Sequence, residues 1–163
     1  MIREAERVTE ESEGQEQVEP ERAPERASSG FLTLEQSGAL LRSLSRSAKF
    51  AVNIIPVSES FGDPSISLAA SKAVADEFAL IFRYAGWEAR VFDANPHPSS
   101  RPLGSVTLVT CPHTSGEMPR RGRKGAQALR RSLEEQGIQS ESYNSSKVDP
   151  ETFELHITIR TRP

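Results

Sequence analysis

Hydrophobic positions along the chain change their spacing several times, and each spacing predicts a different element. Thr33 and Gln36 form a capping-box pattern, and apolar positions at helical spacing follow it, so the sequence predicts a helix over 34–46. The next run, "FAVNIIPV", is continuously apolar and rich in β-branched residues, and Pro56 ends it. Such a run is typical of a core strand that is covered on both faces.

A second helix is predicted between Asp63, followed by Pro64, and Gly86. Asp and Pro suit the N-cap and the first helical turn, and glycine suits the C-terminal stop. Between them, apolar residues recur every three or four positions and form one buried stripe: Val74, Phe78, Ile81, Phe82 and Ala85. Alternating apolar residues over 87–91, beginning at Trp87 in the core, predict a strand that completes a βαβ unit.

The pattern then repeats. "GSVTLVT" predicts a strand, 124–136 a helix that ends at Gly137, and "IQSES" a short strand. The inward positions of this helix are Ala126, Leu129 and Leu133. The last segment, "TFELHITIR", alternates strictly, so we expect one face of it in the core and the other in solvent. The expected solvent face carries Glu154, His156, Thr158 and Arg160, which makes His156 a surface residue.

These elements predict an α/β (α+β) fold with a mixed sheet of four or five strands, built from two βα units with helices packed on it. A ferredoxin-like βαββαβ arrangement is the simplest topology that fits. A small three-layer sheet with the first helix on the second face is the alternative. Both place the helices of the two βα units in one interior.

Charge is distributed unevenly over the 163 residues. Residues 1–30 carry nine Glu and four Arg, a balance of −5, so the total of −3 leaves 31–163 at +2. The first thirty residues hold few large apolar side chains, too few to offset the entropy lost on ordering the backbone. We therefore expect a disordered acidic tail or tether over 1–30 and a single α/β domain over 31–163.

A single cysteine, Cys111, cannot form an intramolecular disulfide, and the sequence has neither an apolar run of membrane-spanning length nor a secretory leader. A cytoplasmic, reducing environment fits these features.

The order of elements also resembles a known group. "LTLEQ" opening a helix, an apolar strand, a helix that ends in "AGW", and a second strand–helix pair before a charged terminal strand resemble the soluble C-terminal α/β domain of uncharacterised bacterial proteins. In that group the domain often follows membrane helices, which this sequence lacks. The resemblance covers about residues 31–163 and implies no catalytic residue.

One candidate site comes from the loops after the strands. If the strands over 50–55 and 105–110 point the same way, "SESFGDPS" and "CPHTSGEMPRRGRKG" meet at one sheet edge, where α/β sheets bind ligands. Helix N-termini there would favour an anion such as phosphate or a nucleotide. The predicted anion-binding residues are Ser58, Ser60, Gly62, Arg121, Arg123 and Lys124.

Enzymatic readings are disfavoured. A phosphatase-type thiol at Cys111 needs an arginine six positions later, where Glu117 stands, although His113 is close enough in sequence to serve as a base. Cys111, His113 and His97 give too few ligands for zinc. On the second helix, Asp76 and Glu77 point in different directions, and Asp76 can pair with Lys72. We predict no catalytic residue, metal or cofactor.

The sequence thus favours a non-enzymatic interaction or assembly module, whose contacts, with a protein partner or a second copy, run through the C-terminal strand and the acidic tail. A sensor that binds an anionic small molecule at the strand-end loops is the alternative. Weak nucleic-acid binding is a second alternative, which the scarcity of aromatic residues on the expected solvent face disfavours.

Overall fold

A computed structural model describes residues 30–57, 65–93, 105–113 and 116–160. Three helices lie in these ranges: α1 (Leu34–Arg46), α2 (Leu68–Tyr84) and α3 (Arg121–Glu135). Five strands accompany them: β1 (Ala51–Pro56), β2 (Glu88–Val91), β3 (Val106–Thr110), β4 (Glu141–Asn144) and β5 (Phe153–Ile157). No helix within the described ranges is both long enough and apolar enough to span a membrane.

The five strands form one mixed sheet in the order β2-β1-β5-β3-β4. β1 pairs with β2 and β3 pairs with β4, both in parallel, while β5 is parallel to β1 and antiparallel to β3. The predicted α/β class, with a mixed sheet built from two βα units, is confirmed. The strand order differs from the split units of a ferredoxin-like arrangement, because each unit here keeps its two strands adjacent and β5 lies between the units.

All three helices contribute to one core on one face of the sheet. Leu40 and Leu44 of α1, the predicted stripe of α2 and the inward residues of α3 share this core with Val52, Leu108 and Leu155 of the strands. α1 packs against both α2 and α3. The first helix therefore does not cover the second face, as the three-layer alternative required.

Most predicted helix limits are close to the observed ones. α1 has the expected capping box, in which the Thr33 side chain accepts from the Gln36 amide. α2 begins later than predicted, because the Ser67 side chain caps it, and Asp63 and Pro64 lie outside the described residues. Gly86 and Gly137 follow their helices with φ values of +88° and +72°, as a C-terminal stop requires.

The prediction that one face of the last strand lies in solvent is wrong. β5 lies at the centre of the sheet, and every residue from 153 to 158 is buried. Glu154, His156 and Thr158 lie on the face opposite the helices, as the alternation requires, but that face is shielded from solvent. A strand with neighbours on both sides offers no open edge, so β5 cannot mediate the edge-to-edge assembly that the sequence suggested.

Lys49 joins the C-terminal ends of two helices. Its Nζ donates to Ser45 O of α1 at 2.7 Å and to Ala85 O after α2 at 2.7 Å. A cation at this position satisfies carbonyls that have no partner within the helix and complements both helix dipoles.

Replacing Lys49 by methionine keeps most of the side chain and removes both hydrogen bonds. We expect Lys49→Met to lower the free energy of unfolding by about 1 kcal/mol, which corresponds to a fall in Tm of about 3 °C. Thermal denaturation followed by circular dichroism checks this. Lys147→Met is the matched control, because Lys147 is exposed in a turn, and an equal loss in both variants would contradict the bridging role.

Candidate functional site

The strand directions remove the basis of the predicted anion site. Pro56, the last residue of β1, is aligned with Ile157, and Ile157 is aligned with Val106, the first residue of β3. Because the two strands run in opposite directions, the carboxyl end of β1 lies at the same end of the sheet as the amino end of β3. The expectation that the loops after β1 and β3 meet is therefore wrong. Ser58, Ser60 and Gly62 themselves lie outside the described residues.

The three predicted cations of α3 do not converge. Arg121 donates to Lys49 O and lies over the Phe50 ring, with Cζ 5.5 Å from the ring centroid. Arg123 points to the other side, where its Nη2 donates to Asn144 Oδ1 at 3.1 Å and to Cys111 O at 3.3 Å. Lys124 is exposed.

The N-terminus of α3 is closed by the protein's own backbone. The Gly122 amide donates to Pro150 O at 3.0 Å, and a Cβ at position 122 would lie 1.9 Å from Thr152 O. Arg120 is paired with Glu151 at 2.7 Å, and this hydrogen-bonded carboxylate raises the pKa of Arg120 above its usual value. Carbonyls at the helix terminus leave less room for an anion than the sequence implied.

A buried imidazole–carboxylate pair lies on the sheet face opposite the helices. His156 Nε2 is 2.9 Å from Glu154 Oε1, and the two residues are only 2 % and 4 % exposed. The Tyr143 ring approaches His156 edge-on, with centroids 6.5 Å apart. Thr107 is aligned with His156 across the β3–β5 ladder.

This pair has the composition of a general-base dyad but not its accessibility. A catalytic base must reach the proton of a bound substrate, and His156 is shielded from solvent. The hydroxyls of Thr107 and Thr158 are also buried, and neither has a hydrogen-bond partner among the described residues. Within the described ranges, no group of three or more His, Cys, Asp or Glu could hold a metal ion. The pair is therefore enclosed by the protein.

Other polar residues singled out in the sequence have structural partners. Lys72 of α2 pairs with Asp93, just beyond β2, at 3.7 Å. The sequence had suggested Asp76 as the partner of Lys72. Ser37 donates to Glu77 at 3.4 Å, which links α1 to α2. Cys111 is a free, half-buried thiol just after β3, and His113 is exposed. Trp87 is buried as predicted and donates to Leu44 O at 3.3 Å.

One of the two outer strands, β2, has a protected edge. The Glu88 and Phe92 amides donate to β1 and its flanking residue, so alternation directs the backbone of Ala89 outward. The guanidinium of Arg83 donates to Ala89 O through Nε at 3.3 Å and Nη2 at 3.1 Å. A side chain of the adjacent helix thus occupies the position that an added strand would need.

The other outer strand, β4, is open. Ser145 N donates to Thr110 O, and the same alternation directs the backbone groups of Ser142 and Asn144 away from β3. No residue in the described part of the chain pairs with these outward amides and carbonyls, and both residues are exposed.

A groove of about 230 Å³ runs beside this open edge, between α3 and the β3–β4 ladder. Arg123, Gln127 and Arg130 recur at helical spacing along its α3 wall, and Ser142 and Asn144 line the strand side. Thr110 Oγ1 donates to Asn144 Oδ1 at 2.9 Å, and Leu108 lies at the base. The buried Arg123 Nε has no partner among the described residues.

The wall of the groove belongs to a basic helix. α3 carries five cations, at 121, 123, 124, 130 and 131, against Glu134 and Glu135, a balance of +3. Arg130 shares its charge with Glu134, since Nε lies 3.1 Å from Oε1. We name the outward backbone of β4 and its flanking groove the β4 groove. Among the described residues, this surface is open and positively charged, and it places the outward backbone amides and carbonyls of a strand beside a cavity.

Sequence reasoning found one member of this surface, Arg123, but for a different site. The helical stripe of Arg123, Gln127 and Arg130 was present in the sequence as part of the polar side of α3. The missing information was which strand would lie beside that stripe.

Comparison with protein-family models, with curated proteins and with solved structures gave no match.

Proposed function

We propose that the protein is a non-enzymatic interaction module that binds an extended, acidic segment of a partner protein along β4. The observation that carries this proposal is the difference between the two outer strands: Arg83 occupies the outward carbonyl of Ala89 on β2, while β4 offers unpaired backbone groups beside a cationic groove. Strand addition to a sheet edge gains affinity from main-chain hydrogen bonds and specificity from alternate side chains. Acidic side chains of the added strand would face Arg123 and Arg130.

The remaining features agree with a binding role. The imidazole–carboxylate pair on β5 is buried, so it is not offered to a substrate. The free thiol Cys111 is consistent with the reducing, cytoplasmic environment that forms part of the proposal. An interface of this kind is small, so we expect a transient complex with a dissociation constant in the range of about 10–100 μM.

An NMR titration tests the proposal. The probe is a peptide of about ten alternating Glu and Val residues, which is acidic and favours the extended conformation. We expect the amide resonances of Ser142 and Asn144 to shift on addition of the peptide, and those of Ala89 on β2 to stay unchanged. Raising the salt concentration should weaken binding, because the contacts are charged and exposed.

A matched pair of charge reversals separates the groove from the general charge of α3. Arg130 lines the groove and Arg131 does not, although both are exposed and adjacent. We expect Arg130→Glu to weaken peptide binding about tenfold and Arg131→Glu to change it by less than about twofold. Equal weakening in the two variants, absence of shifts on β4, or tighter binding of a single-stranded oligonucleotide than of the peptide would overturn the proposal.

A backbone variant tests strand pairing by itself. The Ser142 amide points away from β3, so Ser142→Pro removes an outward donor and leaves the β3–β4 ladder intact. We expect this variant to fold with an unchanged circular dichroism spectrum and to lose most peptide binding. A variant that folds and still binds the peptide with full affinity would rule out strand addition.

A further inference from the structure

We infer that the β4 groove is occupied in cis by the acidic segment over residues 10–21 of the same chain. This inference rests on the proposed function, because it names an occupant for the same surface. The segment "EESEGQEQVEPE" contains six Glu and no Lys or Arg, and residues 1–29 lie outside the described ranges. Its charge is opposite to the +3 balance of α3, which forms the groove wall.

The position of α1 brings the chain to the correct part of the fold. Gln36 Nε2 near the start of α1 donates to Gln136 O at the end of α3, at 3.2 Å. From there the centre of the groove wall at Gln127 lies nine residues back along α3, or about 14 Å. Residues 22–30 can span up to about 30 Å when extended, so the segment reaches the groove without strain.

Tethering makes a weak contact effective. A segment attached through a short linker experiences a local concentration in the millimolar range, which exceeds the dissociation constant expected for a single acidic peptide. The other edge of the sheet does not compete for the segment, since Arg83 already occupies Ala89 O of β2. The acidic segment would therefore compete with a partner for the β4 groove, and the partner must displace it to bind.

Paramagnetic relaxation measures this occupancy directly in the full chain. A spin label is attached at Ser12→Cys in a Cys111→Ser background, so that the label has a single thiol. We expect the amides of Gln127, Ser142 and Asn144 to broaden, and those of β2 to stay sharp. Arg130→Glu should remove most of the broadening, whereas Arg131→Glu should retain it. Broadening spread evenly over the surface, or unchanged by Arg130→Glu, would overturn the inference.

A second variant separates the two proposals. The full chain carrying Glu10→Gln, Glu11→Gln, Glu13→Gln and Glu16→Gln should bind the Glu–Val peptide about threefold more tightly or better, since its own segment competes less. If the peptide binds both chains equally on β4, the groove is a binding site but the acidic segment does not occupy it. If the peptide binds neither chain, the proposed function itself fails.

Discussion

Gly122→Ala is expected to lower the free energy of unfolding by about 3 kcal/mol or more, although it exchanges a poor helix former for the best one. The cause is a close approach between the Gly122 backbone and the backbone of residues 150–152, which leaves no space for a side chain. A Cβ at position 122 would lie 1.9 Å from Thr152 O and 2.9 Å from Pro150 O. Both obstacles are main-chain atoms, so either the start of α3 or the segment before β5 must move. Chemical denaturation of the purified variant gives the value.

Gly38→Ala is the matched control for this result. Gly38 also lies inside a helix, but its nearest obstacle is the flexible end of Arg42, with Nη1 3.3 Å from the added Cβ. Helix propensity should then dominate, and we expect Gly38→Ala to be neutral or to gain up to about 1 kcal/mol. Equal behaviour of the two variants would show that the contact of α3 with residues 150–152 does not constrain the fold.

Glu154→Ala is expected to cost about 3 kcal/mol, because it leaves the ring nitrogen of His156 buried without its partner. The two groups lie 2.9 Å apart in the centre of the sheet, and both are buried. Glu154→Gln keeps an amide that can bond to the imidazole, so its loss should be about 1 kcal/mol. Urea denaturation of both variants measures the difference.

The double variant Glu154→Leu with His156→Leu completes this test. Removing both polar groups leaves no unpaired atom of the pair, and an apolar replacement of a buried pair is often neutral. We expect the double variant to be more stable than Glu154→Ala, with a strongly non-additive cycle. A double variant that loses the sum of the single losses would show that the two residues contribute independently.

Local patterns predicted the elements well, because each depends on neighbours in sequence. The capping box at Thr33, the α2 stripe around Phe78 and the glycine stop at Gly86 all have causes within a few residues. Strand order depends on long-range pairing, which period and composition do not encode. β5 shows the limit: its alternation was correctly assigned, but alternation cannot distinguish a solvent-facing polar face from a buried one.

The candidate site was harder to predict for the same reason. The anion site combined two loops on the assumption that β1 and β3 run in the same direction, and the antiparallel insertion of β5 reverses one unit relative to the other. Arg123 belongs to a groove only because Asn144 of β4 lies beside it. Gln127 and Arg130 carried no signal beyond exposure on a helix. Only the assembled sheet reveals which edge is blocked by Arg83 and which is open.

The central position of β5 also has a consequence for biosynthesis. The two strand–helix–strand halves are joined in the sheet only through β5, which follows every other described element in the chain. While the ribosome is still producing residues 153–157, the inner edges of β1 and β3 each present unpaired backbone amides and carbonyls beside apolar side chains. Nascent chains stalled before that point would contain two half-sheets whose unpaired edges can associate with other chains. These are the species that molecular chaperones would need to shield.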